Sequence, residues 1–228
     1  MNTLPNFKNN MWRVEDKYAL PVTVFEELRA KFLNALPVDR GGTYQVSSVY
    51  FDDYWDTCLN NTIDGQPVRE KFRVRIYDDC LDTIKLEHKI KKYARIHKDS
   101  VLIEENELKK LLYGETLKSE DDVCDAFNCA IATRCLKPKI IVNYQRTAFI
   151  YSKGNVRVTF DENLRASKDI CKFGCSDLYY DYPKTPFKVV EVKYDEFLPD
   201  FIANLLDCGN MWQSANSKYR ICRELYGL

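Results

Sequence analysis

Lys71-Phe72-Arg73-Val74-Arg75 and Lys85-Leu86-Glu87-His88-Lys89-Ile90-Lys91 carry a long charged side chain at every second residue. Alternate residues of an extended chain share a face, so each stretch reads as a β-strand with one charged row and one mostly apolar row. Arg13-Val14-Glu15-Asp16-Lys17 carries a third such row. A core-facing row is apolar, and a solvent-facing row mixes signs with Ser and Thr. These rows are overwhelmingly cationic, so an anion is expected between them.

Further strands extend the pattern. In Asn155-Val156-Arg157-Val158-Thr159-Phe160-Asp161 the polar face holds Arg157 and Asp161, and Lys188-Val189-Val190-Glu191-Val192-Lys193 sets Glu191 beside Lys193. Arg146 lies on a strand that is otherwise Ile, Val and Tyr. About a dozen cations on one face repel strongly, each like pair at ~4 Å by roughly 4 kcal/mol at an effective dielectric near 20. Glu15, Glu87, Asp161 and Glu191 are too few to neutralise them. If the sheet closes with these faces inward, the lumen is a wet cationic tunnel suited to a polyanion. Arg grips one phosphate with two donors and Lys adds a movable point charge. Residues two apart on a strand stand about 6.6 Å apart, so linked phosphates can be held repeatedly. The scattered Glu residues then suit a hard divalent ion, which takes one or two carboxylates plus phosphate oxygens.

The remaining strand signals fall at 11–19, 43–52, 67–79, 83–92, 138–151, 155–162 and 186–194, with a weaker one at 97–104. Gly154-Asn155 reads as a hairpin turn. Short connections imply an antiparallel sheet, and about eight strands are enough to close a barrel. Helices are expected from a Thr23/Glu26 capping box to Pro37, from Glu105 to Tyr113, from Ser119 toward Arg134, after Pro199, and after a Ser217 cap. The acidic runs, Asp52-Asp53, Asp78-Asp79, Glu104-Glu105 and Glu120-Asp121-Asp122, read as solvated loops and helix starts.

The chain has 228 residues, 45% hydrophobic, enough for one domain spanning 1–228 with its own core. Lys+Arg and Asp+Glu are equal at 34 each, so no overall basic excess draws it to nucleic acid or an acidic membrane. Nine cysteines, an odd number without a C-x-x-C pair, and a start (Met1–Asn6) lacking an apolar signal core point to a reducing cytoplasm. Cys171 and Cys175 read as free thiols. No apolar run approaches the ~18 residues that span a bilayer, so no direct membrane insertion is expected. The two histidines, His88 and His97, read as packing or surface residues.

Taken in order, Arg13-x-Glu15-x-Lys17-Tyr18, Tyr50-Phe51-Asp52, Lys71-x-Arg73-x-Arg75-x-Tyr77, Glu87-x-Lys89, Tyr144-x-Arg146-Thr147-Ala148-Phe149, Val156 to Asp161, Glu191-Val192-Lys193-Tyr194 and Ser217-Lys218-Tyr219 resemble the triphosphate tunnel metalloenzymes, and within them the VTC-type polyphosphate polymerase domain. The resemblance implies an α+β fold with an eight-stranded antiparallel β-barrel. It also implies an activity: transfer of the ATP γ-phosphate to a growing inorganic polyphosphate chain, with Mn2+ or Mg2+. By position Lys17, Arg73, Arg75, Lys89, Arg146, Arg157 and Lys218 would line the phosphate path and act in catalysis. Arg13, Lys71, Lys85, Lys91, Lys193, Ser217 and Tyr144 would add substrate contacts. Glu191 would hold the metal, with Glu15 and Glu87 assisting.

Arg13 stands where the hydrolytic and cyclase branch usually has the first Glu of a Glu-x-Glu-x-Lys strand, which favours the polymerase-like branch. Eukaryotic members add a phosphate-sensing domain and membrane helices, neither of which this sequence shows, so export of the polymer would need a separate membrane partner. Two rivals share the cationic lumen: hydrolysis of tripolyphosphate or a nucleoside triphosphate, and a non-catalytic polyphosphate sensor.

Overall fold

The computed structural model describes residues 12–185, 187–209, 212–214 and 216–227. Met1–Met11 and Pro186, which include the Met1–Asn6 segment and the first residues of the expected strands 11–19 and 186–194, lie outside the described residues. Eight strands form the barrel: β1 (Arg13–Leu20), β2 (Tyr44–Asp52), β3 (Val68–Tyr77), β4 (Cys80–Lys92), β5 (Arg95–Ile103), β6 (Lys137–Tyr151), β7 (Val156–Ser167) and β8 (Lys188–Tyr194). Their order is β5-β4-β3-β2-β6-β7-β8-β1, all antiparallel, and a β1–β5 pairing (Arg13 to Ile96, Val14 to Arg95) closes it. A two-residue strand, β9 (Trp212–Gln213), covers the edge of β1 beyond that point by pairing with Tyr18 and Ala19.

Turn chemistry sets the hairpins. Asp78 and Asp79 both take positive φ, 53° and 50°, between β3 and β4, as a tight right-twisted hairpin requires. Between β6 and β7, Gly154 sits at φ 74°, where a Cβ would meet the Phe197 carbonyl oxygen at 2.8 Å. No other residue fits that turn without a shift.

The outer face of the barrel carries the apolar row of each strand. Around β2–β5, Phe51, Phe72 and Leu86 pack with Leu108 and Leu111 of α3 (Glu105–Leu112) and Phe127 of α4 (Asp122–Arg134). Around β7 and β8, Phe149, Val158, Phe160 and Val190 pack with Phe25 and Phe32 of α1 (Val22–Ala35) and Ile202 of α5 (Asp200–Leu206). A third cluster joins Tyr50, Val142 and Tyr144 to Tyr219 and Cys222 of α6 (Lys218–Glu224). The rows opposite the first two clusters are left to face the lumen.

Local expectations needed correction in four places. The capping box at Thr23 does not form: α1 begins at Val22, Pro21 at the N-cap position holds φ −54°, and Glu26 pairs with Arg29 at 2.7 Å instead. The helix expected from Ser119 starts at Asp122, where the Asp121 side chain caps by accepting from the Val123 amide at 2.9 Å. A helix absent from the sequence reading, α2 (Thr57–Ile63), follows β2. Asp52 and Asp53 are buried, not solvated. Asp52 accepts the Cys58 and Leu59 amides at 2.9 and 3.1 Å, so it holds the start of α2. The Glu104-Glu105 run is a helix start, with a capping box between Glu104 and Glu107.

Candidate active site

The lumen contains a cavity of about 380 Å3 whose wall, among the described residues, carries ten Lys or Arg side chains and two carboxylates, Glu15 and Glu191. Strand pleating brings all but one of them there, and Lys218 comes from the start of α6. Arg69, Lys71, Arg73 and Arg75 are alternate residues of β3, Lys89 and Lys91 of β4, and Glu15 and Lys17 of β1.

Glu15 and Glu191 sit in a knot of lysines. Lys17 Nζ lies 3.5 Å from each carboxylate, Lys193 lies 2.6 Å from Glu191 and 3.4 Å from Glu15, and Lys89 donates to both Glu15 oxygens at 2.9 and 2.8 Å. Burial and the neighbouring Glu191 push the Glu15 carboxyl upward, yet Lys89, Lys17 and Lys193 outweigh them and hold it well below the usual range. Glu191 is likewise held low against burial, by Lys193, Lys17 and Lys89. Both carboxylates are therefore charged and face the cavity.

Glu87 stands differently. It is completely buried, accepts from Arg73 Nε at 2.6 Å and from Lys98 Nζ at 2.7 Å, and does not line the cavity. It serves as the counter-ion that lets two arginines and a lysine share the β3–β5 wall. Farther round, Arg146 donates twice to Asp161, at 2.7 and 2.8 Å, and Lys218 reaches the same carboxylate at 2.5 Å. Burial raises the Asp161 carboxyl, but Arg146 and Lys218 bring it to about 2.

Among the described residues four cations of this wall, Arg69, Lys71, Arg75 and Lys91, lack a close carboxylate. Arg75 is 5% exposed and donates to Ser48 Oγ at 3.0 Å and Tyr144 Oη at 3.2 Å, with Glu87 only at 3.8 Å. Lys71 meets Ser217 Oγ at 3.1 Å, and burial, with Lys17 and Lys89 nearby, lowers it to about 7. An anion entering the cavity meets a guanidinium without a close counter-ion at Arg75 and, at Lys71, an amine able to take up a proton as the anion binds.

Of the residues singled out in the sequence, Lys17, Lys71, Arg73, Arg75, Lys89, Lys91, Tyr144, Arg146, Lys193, Ser217 and Lys218 come together on this wall, with Glu15 and Glu191. Three expected cations do not. Arg13 is engaged by Asp195 at 2.9 Å and by the Asn155 carbonyl, and Lys85 stands over the Tyr77 ring at 5.8 Å. Arg157 pairs with Asp39 at 2.6 Å and Tyr44 Oη at 2.9 Å. The sequence reading passed over Arg69, one more alternate step along β3, and Tyr50, whose hydroxyl accepts from Arg73 at 2.8 Å. His88 lies on the opposite face, stacked on Phe72 at 4.1 Å, so imidazole stays out of the lumen.

No three His, Cys, Asp or Glu side chains converge as a metal cage among the described residues. Glu15 and Glu191 do form a pair of charged carboxylates around one point, now held by Lys17. That donor set fits a hard divalent ion completing its shell with phosphate oxygens and water, and does not fit a closed protein-only site.

Solved structures with the same fold include HpAC1 from Hippeastrum, named for adenylyl cyclase and described as having a dominant triphosphatase activity (TM-score 0.57, 14% identity, covering 93% of this chain and 95% of that one). Others are the PH1819 protein of Pyrococcus horikoshii OT3 (0.52, 16%, 93% and 99%) and a protein of Bacillus halodurans named for adenylate cyclase (0.52, 14%, 85% and 84%). At these identities the likeness concerns the fold. No curated protein sequence matches this chain. The family model of the VTC domain matches residues 12–226, the whole barrel and its helices, and the chain therefore belongs to the VTC domain family.

Proposed function

We propose that the chain is a polyphosphate polymerase, transferring the γ-phosphoryl group of ATP to the end of an inorganic polyphosphate chain. The observation that carries this is the lumen wall itself: ten cations against two carboxylates in about 380 Å3. A terminal phosphate oxygen of the chain attacks the γ-phosphorus, the bond to the β,γ-bridging oxygen breaks, and ADP leaves with the pair of electrons. The acceptor is already anionic, so the protein has no nucleophile to activate. Its task is to place two polyanions in line and stabilise the charge on the transferring group.

In this reading Lys17, Arg73, Arg75, Lys89, Arg146 and Lys218 hold phosphate oxygens, and Lys71, Lys91, Lys193, Ser217 and Tyr144 extend the track. Arg13, Lys85 and Arg157 are left out of it, because other partners engage them away from the cavity wall. Glu191 and Glu15 hold Mn2+ or Mg2+; Glu87 is assigned a structural role. A divalent ion held by these two carboxylates would supply positive charge to offset that of the phosphates. The site is accordingly expected to work in a compartment that supplies ATP, the cytoplasm, on ATP and polyphosphate and not on nucleic acid. No helix among the described residues is long and apolar enough to cross a membrane, and any passage of the product across one falls to a separate membrane partner.

Incubation with ATP and Mn2+, followed by electrophoresis of the products on a polyphosphate gel, tests the reading. A ladder of long polymer with stoichiometric ADP is the expected result. Free phosphate with ADP would make the chain a hydrolase, and unchanged ATP with tight polyphosphate binding would make it a sensor.

A further inference from the structure

Beside the cationic cavity lies a second one of about 330 Å3, between the end of β7, the start of β8, the Tyr182–Thr185 stretch and α6. Lys218 and Asn216 line both cavities. Lys218, on the wall they share, pairs with Asp161 of the second cavity.

The two cavities differ in chemistry. The second balances Lys188 and Lys218 against Asp161 and Glu162, and Glu162 already engages Arg29 at 3.0 Å and Lys188 at 3.4 Å. Another phosphate would find no unspent charge there. What the wall offers instead is apolar and aromatic: Leu164, Ile221, Tyr182 and Phe187, with Asn163 and Thr185 as polar groups. Tyr182 and Phe187 remain 61% and 39% exposed, and Trp212 braces Phe187 edge-on, ring centroids 4.8 Å apart at 86°. A partly open cleft of this size, with aromatic and aliphatic side chains on one part of its wall and polar groups on the rest, suits a small molecule that has both an apolar and a polar part.

We propose that this second cavity binds the nucleoside of a nucleoside triphosphate whose phosphates occupy the lumen. The base lies against Phe187 and Tyr182, the ribose hydroxyls face Asn163 and Glu162, and the phosphate chain crosses at Lys218. The inference rests on the phosphate-binding reading of the lumen and adds to it a structural basis for telling ATP from bare polyphosphate. Aromatic stacking suits this task because every base presents a π-face and inorganic phosphate has none.

Calorimetric titration of the full chain with the β,γ-imido analogue of ATP and, separately, with inorganic tripolyphosphate separates the two claims. Phe187→Ala removes the stacking ring and Thr185→Trp fills the cavity. Each is expected to weaken the nucleotide about tenfold while tripolyphosphate stays within twofold of the parent. Unchanged nucleotide affinity in both variants overturns the second site but leaves the lumen reading intact. Equal loss of both ligands also overturns it, since the positions would then act through the barrel. Failure of the parent protein to bind tripolyphosphate overturns the lumen reading and this proposal with it.

Discussion

Lys71 of β3 directs its ammonium at the hydroxyl of Ser217, the residue that caps α6, with 3.1 Å between Nζ and Oγ. The same ammonium stands 5.1 Å from the centre of the Tyr219 ring, and no described carboxylate lies within ion-pair distance of it. A cation buried against a hydroxyl and a ring, facing other lysines, loses part of its hold on the proton, which is why Lys71 falls to about 7.

The sign of the resulting pH dependence follows. Between about 7 and 10.5 the unfolded chain holds this proton and the folded one does not, so the Lys71 contribution to stability grows as pH rises through that window and is lost as pH falls through 7. A bound polyanion restores the charge. Tripolyphosphate titrated near pH 8 in two buffers of different ionisation enthalpy should therefore show proton uptake, smaller in Lys71→Met. Identical heats in both buffers would refute the assignment.

Arg75 and Glu191 should separate binding from turnover. Arg75 has only neutral hydrogen-bond partners, so phosphate is its main prospective counter-ion. Each charge-assisted bond contributes about 1.5–3 kcal/mol, so Arg75→Ala should weaken tripolyphosphate roughly 10- to 100-fold. Glu191→Gln removes a negative charge from a cationic wall, and phosphate affinity should hold or rise while metal-dependent product formation collapses. Equal, mild effects from both substitutions would place them outside the reaction.

The strand rows were legible because pleating has an exact period of two, and a barrel with apolar helices outside turns one face of every strand inward. Depth along the axis was not legible. Arg157 and Lys193 are paired across β7 and β8, yet only Lys193 reaches the cavity wall, because Asp39 and Tyr44 from another segment engage Arg157. In the same way Glu15 and Glu87 look alike in sequence. What distinguishes them is Lys98, a residue of the weak strand signal at 97–104, which pairs with Glu87 from across the sheet. The short helix α2 escaped notice because its start is set by Asp56 at φ 54° and by the buried Asp52, neither of which resembles an ordinary cap.

That distinction makes Glu87 a stability position. Removing one partner from a buried ion cluster costs about 3–5 kcal/mol, since the remaining charges stay buried and unpaired. Glu87→Gln should lower the urea midpoint accordingly, and tripolyphosphate should restore part of the loss by pairing Arg73 from the lumen side. Glu15→Gln, whose carboxylate faces the cavity, should respond to ligand but lose metal dependence as well. If Glu87→Gln unfolded no more easily than the parent chain, the clamp by Arg73 and Lys98 would have no energetic weight.

Tyr219 ties α6 into the barrel, and its hydroxyl is the point to cut. The phenol donates to Asp52 Oδ2 at 2.7 Å and accepts from Arg223 at 2.9 Å, while its ring stacks on Tyr50 at 5.1 Å. Burial and the Asp52 carboxylate push the hydroxyl far above its ordinary pKa, so it remains a donor at any working pH. Tyr219→Phe keeps the ring and removes the donor, leaving buried Asp52 with its backbone amides alone. The cost should be about 1–3 kcal/mol. Because Ser217 and Lys218 hang from the same helix, tripolyphosphate affinity should fall in parallel. The comparison with Tyr50→Phe is decisive: that change touches only the Arg73 contact and should weaken ligand binding while leaving the urea midpoint nearly unmoved. Matching stability losses in the two variants would mean that α6 is held by packing, and that the Tyr219–Asp52 bond contributes little.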